Sequence, residues 1–176
     1  MKKVIPTIFL LQFFMACSPS VEEQKNTIAR LEQKMSEQKK VSGLATSDSA
    51  LTSQMITTYL EYASKNPDDT ISAVFLFKAG NLANQRGDFH TAEKSFEKLI
   101  EKYPNHPDAP TALFLLGFTF ENMKGDQKSA EKCYRKFLET YPNHPRAFEV
   151  RYSLENIGKS AEELLRNIQP KDSIPS

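Results

Sequence analysis

Tryptophan is absent from this chain of 176 residues, cysteine occurs twice and histidine three times. Two cysteines cannot build the disulfide framework of a small secreted scaffold. The histidines lack a zinc pattern: His90, His106 and His144 have no second His or Cys three to five residues along a helix. No phosphate-cradling glycine loop and no strained nucleophile turn occurs. Nor is there an excess of one charge. With 23 Lys and Arg against 22 Asp and Glu, the net charge is +1, so no nucleic-acid partner is expected. These absences point away from an enzyme, a metal and a cofactor. Glycine is scarce, at six, whereas proline reaches ten. Most of those prolines stand at expected helix ends, where the missing N–H costs little.

The chain does contain one stretch written twice. Residues 92–107 read AEKSFEKLIEKYPNHP and residues 130–145 read AEKCYRKFLETYPNHP. Ala92 recurs as Ala130, Phe96 as Tyr134 and Tyr103 as Tyr141, each 38 residues later. A period between about 20 and 50 residues marks a stacked array of supersecondary units. The first full unit spans about 70–106 and the second about 108–144. Within the first, Leu76, Ala79, Gly80 and Ala83 share one helical face, and Ala92, Phe96, Leu99 and Ile100 share another. In the second, Leu113, Leu116, Gly117 and Phe120 pair with Ala130, Tyr134, Phe137 and Leu138. Gly87-Asp88 and Gly125-Asp126 break the units in two, each aspartate capping the following helix. Small residues at Gly80 and Ala92 predict closely approaching helix axes. The second unit holds one extra residue between its glycines, expected in the 121–124 helix end. Residues 48–67 read as the second half of a degenerate earlier unit. Residues 146–168 read as terminal helices, with a capping box at Ser160 to Glu163. A disordered tail is expected over 169–176.

This pattern resembles the tetratricopeptide repeat (TPR), a helix–turn–helix unit of an α-solenoid. The resemblance covers about 50–168 and rests on the paired small residues, on Phe96 and Tyr134, and on Pro104 and Pro142. It departs at Leu76 and Leu113, where the family favours tryptophan, and at Ala83, Leu99 and Phe137. It implies an all-α fold, a short TPR superhelix preceded by a polar helical stalk, that holds another molecule without catalysis. The first helices of successive units would line its concave face. On that basis the expected groove residues are Phe77, Asn81, Asn84, Phe114, Phe118, Glu121, Tyr152 and Asn156. Phe77 and Phe114 also have a simpler reading, packing between neighbouring helices. Phe118 stands out because its counterpart in the preceding unit is the polar Asn81. Such a groove suits an extended peptide or a helix of a partner.

The N-terminus carries a different message. Lys2 and Lys3 precede an apolar run from Val4 to Ala16, too short to span a bilayer and suited to a secretory signal over 1–16. Phe14-Met15-Ala16-Cys17 resembles a bacterial lipoprotein box, with Phe14 in place of the usual leucine. The resemblance implies an acylated Cys17 and a membrane anchor. Ser18 after the cysteine is the pattern that favours the outer membrane, facing the periplasm. Residues 17–47 are expected to be a stalk and linker. Val21, Ile28 and Met35 recur every seven residues, with charges of both signs between them. The preferred expectation is a solvated, partly helical spacer, and the alternative is a small coiled coil that oligomerises the chain.

The expectation is therefore a non-enzymatic, membrane-anchored adaptor of the bacterial cell envelope, whose partner is an envelope protein or peptide. The chain resembles small TPR lipoproteins and the TPR part of the Tol–Pal-associated periplasmic protein. It is more distantly similar to the TPR lipoproteins of outer-membrane protein assembly (BamD-like). The competing expectation is an oligomeric structural spacer built on residues 21–40.

Overall fold

A computed structural model describes residues 19–42, 49–160 and 162–163. The expected signal and Cys17, the linker expected over 41–47 apart from its first two residues, which end α1, most of 161–168 and the tail over 169–176 lie outside the described residues. Among the described residues there are seven α-helices and no strand. They are α1 (Val21–Ser42), α2 (Ser49–Lys65), α3 (Ile71–Gln85), α4 (Phe89–Lys102), α5 (Ala109–Phe118), α6 (Gln127–Thr140) and α7 (Ala147–Asn156). A π turn, Thr119–Met123, continues α5. Successive helices run antiparallel and pack on one another, giving the TPR-type solenoid in which α3–α4 and α5–α6 are the two full repeats.

The repeated residues act alike in both units. Asp88 accepts a hydrogen bond from Thr91 N (3.1 Å), and Asp126 accepts one from Ser129 N (3.0 Å), so each aspartate caps its helix. Gly87 and Gly125, just before these caps, have φ of 76° and 65°, a region that only glycine enters freely. At the other end of each unit the YPNHP turns are bonded turn to turn. The Tyr103 hydroxyl donates to Pro67 O (2.6 Å), and that of Tyr141 donates to Pro104 O (3.3 Å). His106 and His144 serve inside these turns, where Nδ1 accepts from Asp108 N (3.2 Å) and Arg146 N (3.1 Å) respectively.

The helices of each repeat approach closely at the glycines. A Cβ built on Gly80 would lie 2.5 Å from Phe96 Cε1, and one on Gly117 would lie 2.5 Å from Tyr134 Cε1. Both rings are fully buried, and each such side chain contributes about 3 kcal/mol by leaving water. The main core runs through α2 to α7 and includes Leu76, Phe96, Leu113, Tyr134, Phe137 and Val150.

The extra residue of the second repeat forms the π turn. Lys124 N donates to Thr119 O (3.1 Å), five residues back. Such a bulge absorbs one residue without breaking the helix. The Thr119 hydroxyl, fully buried, bonds Leu115 O (2.7 Å) and the Asn84 side-chain amide (2.8 Å). It thereby joins the π turn to α3.

Residues 21–40 require a correction. They form a helix, but it is not a free solvated stalk. α1 lies antiparallel against α2, with Ile28 3% and Met35 7% exposed. These two residues share a second apolar cluster with Met55, Tyr59, Tyr62 and Phe75. The seven-residue seam does bury itself, but against this chain's own first helix pair, which supplies the aromatic surface. Ser20 and Glu23 cap α1 reciprocally: Ser20 N donates to Glu23 Oε2 (2.7 Å), and Glu23 N donates to Ser20 Oγ (3.2 Å).

Candidate partner-binding face

The first helices α3, α5 and α7 carry the residues expected to line the groove. The equivalent residues Phe77, Phe114 and Tyr152 occupy it differently from the expectation. Phe77 lies 6.2 Å, centroid to centroid, from Phe96, and Phe114 lies 6.2 Å from Tyr134. Each is the same contact, between the first and second helix of one repeat. Phe114 is buried and the Arg146 guanidinium sits 5.2 Å over its ring. Phe114 is thus a core residue rather than groove lining, and half-buried Phe77 is mostly engaged the same way. Tyr152 has no such second-helix ring beside it among the described residues and is 53% exposed.

The amide and carboxylate positions are also committed. Asn84 is bonded to Thr119, its side-chain amide donating to the hydroxyl (2.8 Å) whose own hydrogen goes to Leu115 O. Glu121 Oε2 accepts from the Tyr134 hydroxyl (2.8 Å). Together with burial of that phenol, this bond pushes the Tyr134 pKa far up. Asn156 donates to Tyr152 O (2.8 Å) and accepts from Lys159 (3.1 Å). Asn84 and Glu121 therefore brace the array and Asn156 bonds locally at the end of its own helix, while Phe118, at 39% exposure, and Tyr152 present aromatic surface.

Asn81 falls in a place the sequence reading missed. It lines a cleft of about 580 Å³ between α1, α2 and α3, beside Met35, Met55, Tyr59 and Leu82. Glu32 of α1 organises the rim. Glu32 Oε1 accepts from Lys78 Nζ (2.7 Å) and from the Tyr59 hydroxyl (2.7 Å). Partial burial works against its charge, but these two hydrogen bonds outweigh it and hold the carboxyl below its ordinary range. Treating residues 21–40 as a spacer hid this cleft. The signal for it was the apolar seam of Ile28 and Met35.

Among the described residues, no group of three or more His, Cys, Asp or Glu side chains is placed to hold a metal ion. Cys133 is buried at the place Ser95 takes in the first repeat, and burial pushes its thiol up to about 11. Its thiolate, the reactive form, is scarce at neutral pH. No described helix is long and apolar enough to cross a membrane.

The model of the outer membrane lipoprotein family YfiO matches residues 69–172, more than half of the chain. The chain belongs to this family of outer membrane lipoproteins. The match begins at the turn before α3 and takes in both full repeats and α7, but not α1 and α2. Membership makes the chain a cell-envelope protein, and lies with the resemblance expected to be the more distant one. No curated protein matches the chain.

Proposed function

We propose that the chain is a lipid-anchored, non-catalytic scaffold that faces the periplasm and holds a segment of an envelope protein against its first-helix face. The observation that carries this reading is the pair of exposed aromatics, Phe118 and Tyr152, on a face where Phe114 is buried and Asn84 and Glu121 are taken up in bracing the repeats. Membership of an outer membrane lipoprotein family supports the envelope setting. Acylation of Cys17 supplies the anchor. An oligomer through residues 21–40 is the weaker reading, because Ile28 and Met35 would have to leave α2 to form it.

Three experiments test the proposal. Cys17→Ser is expected to release the protein from the membrane fraction, and acyl mass on the wild-type cysteine checks the cause. Photo-crosslinking groups at positions 118 and 152 are expected to trap the same envelope partner in cells, while one at Lys98, on a second helix, is not. With that partner in hand, Phe118→Ala is expected to weaken binding by about 2 kcal/mol in titration calorimetry. If Lys98 gives the adduct and Phe118 does not, the working surface is the opposite one.

A further inference from the structure

The docking of α1 decides how the array meets the membrane. Because helices alternate in direction, the solenoid has two edges. One carries the start of α1 and the proline turns after α2, α4 and α6. The other carries the end of α1 and the two glycine–aspartate breaks. The start of α1 is fastened to the first proline turn. Lys25 Nζ reaches Asp69 Oδ2 (2.9 Å), and Asn66 Nδ2 donates to Gln24 Oε1 (3.2 Å). Pro19 lines a small cleft with Tyr62 and Lys65 at the end of α2. Cys17 precedes Pro19 by two residues, so the covalent chain allows at most about 7 Å between their Cα atoms.

We infer that the proline-turn edge of the first helix pair rests on the phospholipid headgroups, so that the repeats sit on the membrane surface rather than at the end of a stalk. This rests on the reading of Cys17 as the acylated anchor. A free helix of 22 residues would stand the array off by about 33 Å. With α1 folded back along α2, its length runs beside the array and adds no such gap. Pro67, Asp68 and Thr70 on the edge are exposed and small or polar. That chemistry meets headgroups and does not enter the acyl layer. The glycine–aspartate edge then points away from the membrane, and the aromatic face of α3, α5 and α7 looks sideways along it.

The test uses the acylated full-length protein on vesicles of phosphatidylethanolamine and phosphatidylglycerol carrying a headgroup quencher. A fluorophore is placed at Asp68→Cys on the near edge or at Gln85→Cys on the far edge. These positions bracket α3, whose 15 residues separate them by about 22 Å. Cys133→Ser provides the background, since the first repeat uses Ser95 at that place. The near label is expected to be quenched strongly and the far label little. A third protein adds Ile28→Asp and Glu32→Lys to undock α1. It is expected to stay acylated and vesicle-bound while the near label loses its quenching. Equal quenching of the two labels on an acylated, vesicle-bound protein overturns this inference and leaves the anchor standing. Absence of acyl mass on Cys17 overturns both.

Discussion

In the first full repeat, Asp88 N reaches back to Ala83 O (2.9 Å), whereas in the second, Asp126 N reaches back to Phe120 O (2.8 Å), one residue further. Ala83 and Phe120 are equivalent positions, so this pair of bonds shows where the added residue went. Everything on either side of it is held in common. In both repeats the ring sits so close to the glycine that an added Cβ would meet it at 2.5 Å, the aspartate caps are the same, and the tyrosine turn bonds are made in both. The repeat is therefore pinned at its centre and at its proline turn. The one length difference between the two repeats falls at the end of the first helix, where a π turn absorbs it. That deformation brings a new contact, Thr119 to Asn84, which ties the two repeats together on the proposed binding face.

The largest test of this likeness removes the rings. Phe96→Ala and Tyr134→Ala each empty a fully buried site against a glycine. Each is expected to cost about 3–5 kcal/mol in urea unfolding, with Tyr134→Ala the worse because Glu121 loses its donor. Tyr134→Phe makes the second repeat match the first at this position and isolates the hydroxyl, at about 1 kcal/mol. If Phe96→Ala is nearly neutral, the two ring contacts are not equivalent.

Next come the glycines. Exchange to alanine in an ordinary helix interior stabilises by about 1 kcal/mol. At Gly80 and Gly117 the added methyl meets a ring that is fully buried and has no room to swing. Gly80→Ala and Gly117→Ala are therefore expected to destabilise the fold by about 1–3 kcal/mol, read as a lowered melting midpoint. Gly117→Ala is the more severe, because Cys133 Cβ also stands 3.2 Å from the new methyl. A raised midpoint in either variant would mean that the ring yields. A smaller effect is expected at the caps, where Asp88→Ala removes the bond to Thr91 N for about 1 kcal/mol, and Asp126→Ala shifts stability the same way.

The fold was legible where spacing alone carries the information. The 38-residue recurrence, the periodic apolar faces and the glycine–aspartate breaks each fix a helix, its buried side and its end. The groove was less so. Phe77 and Phe114 sit at concave positions of the repeat pattern, but their rings turn to Phe96 and Tyr134, and a sequence records position rather than side-chain direction. Asn84 and Glu121 likewise look like free polar residues until Thr119 and the Tyr134 hydroxyl are brought beside them. The α1 packing was hidden for another reason. Its seam of Ile28 and Met35 fits a coiled coil or an intramolecular contact equally well. What decides between them is the aromatic surface of Tyr59, Tyr62 and Phe75, which comes from other helices.

The smallest expected effect sharpens the contrast between the docked first pair and the two full repeats. Asp69 accepts from the Tyr62 hydroxyl (2.6 Å), Lys25 Nζ (2.9 Å) and Ile71 N (3.1 Å). These bonds hold its carboxyl down at about 2 from an ordinary 3.8, the tyrosine contributing most. A carboxylate depressed by folding stabilises the folded state above its ordinary pKa, and that stability is lost as pH falls through the folded value. Solvent screens the exposed Lys25 pair, so the effect on global stability is small. It should be local instead. Between about pH 4 and about pH 2 the start of α1 is expected to loosen from the first turn. Amide exchange in residues 24–28 would then speed up before that in α4 or α6. Asp69→Asn keeps an acceptor but removes the charge, so α1 should start looser at neutral pH and show no further acid step from this site. If α1 exchange in wild type keeps pace with α4 and α6 throughout the titration, Ile28 and Met35 alone hold the helix down, and the ion pair contributes nothing to its docking.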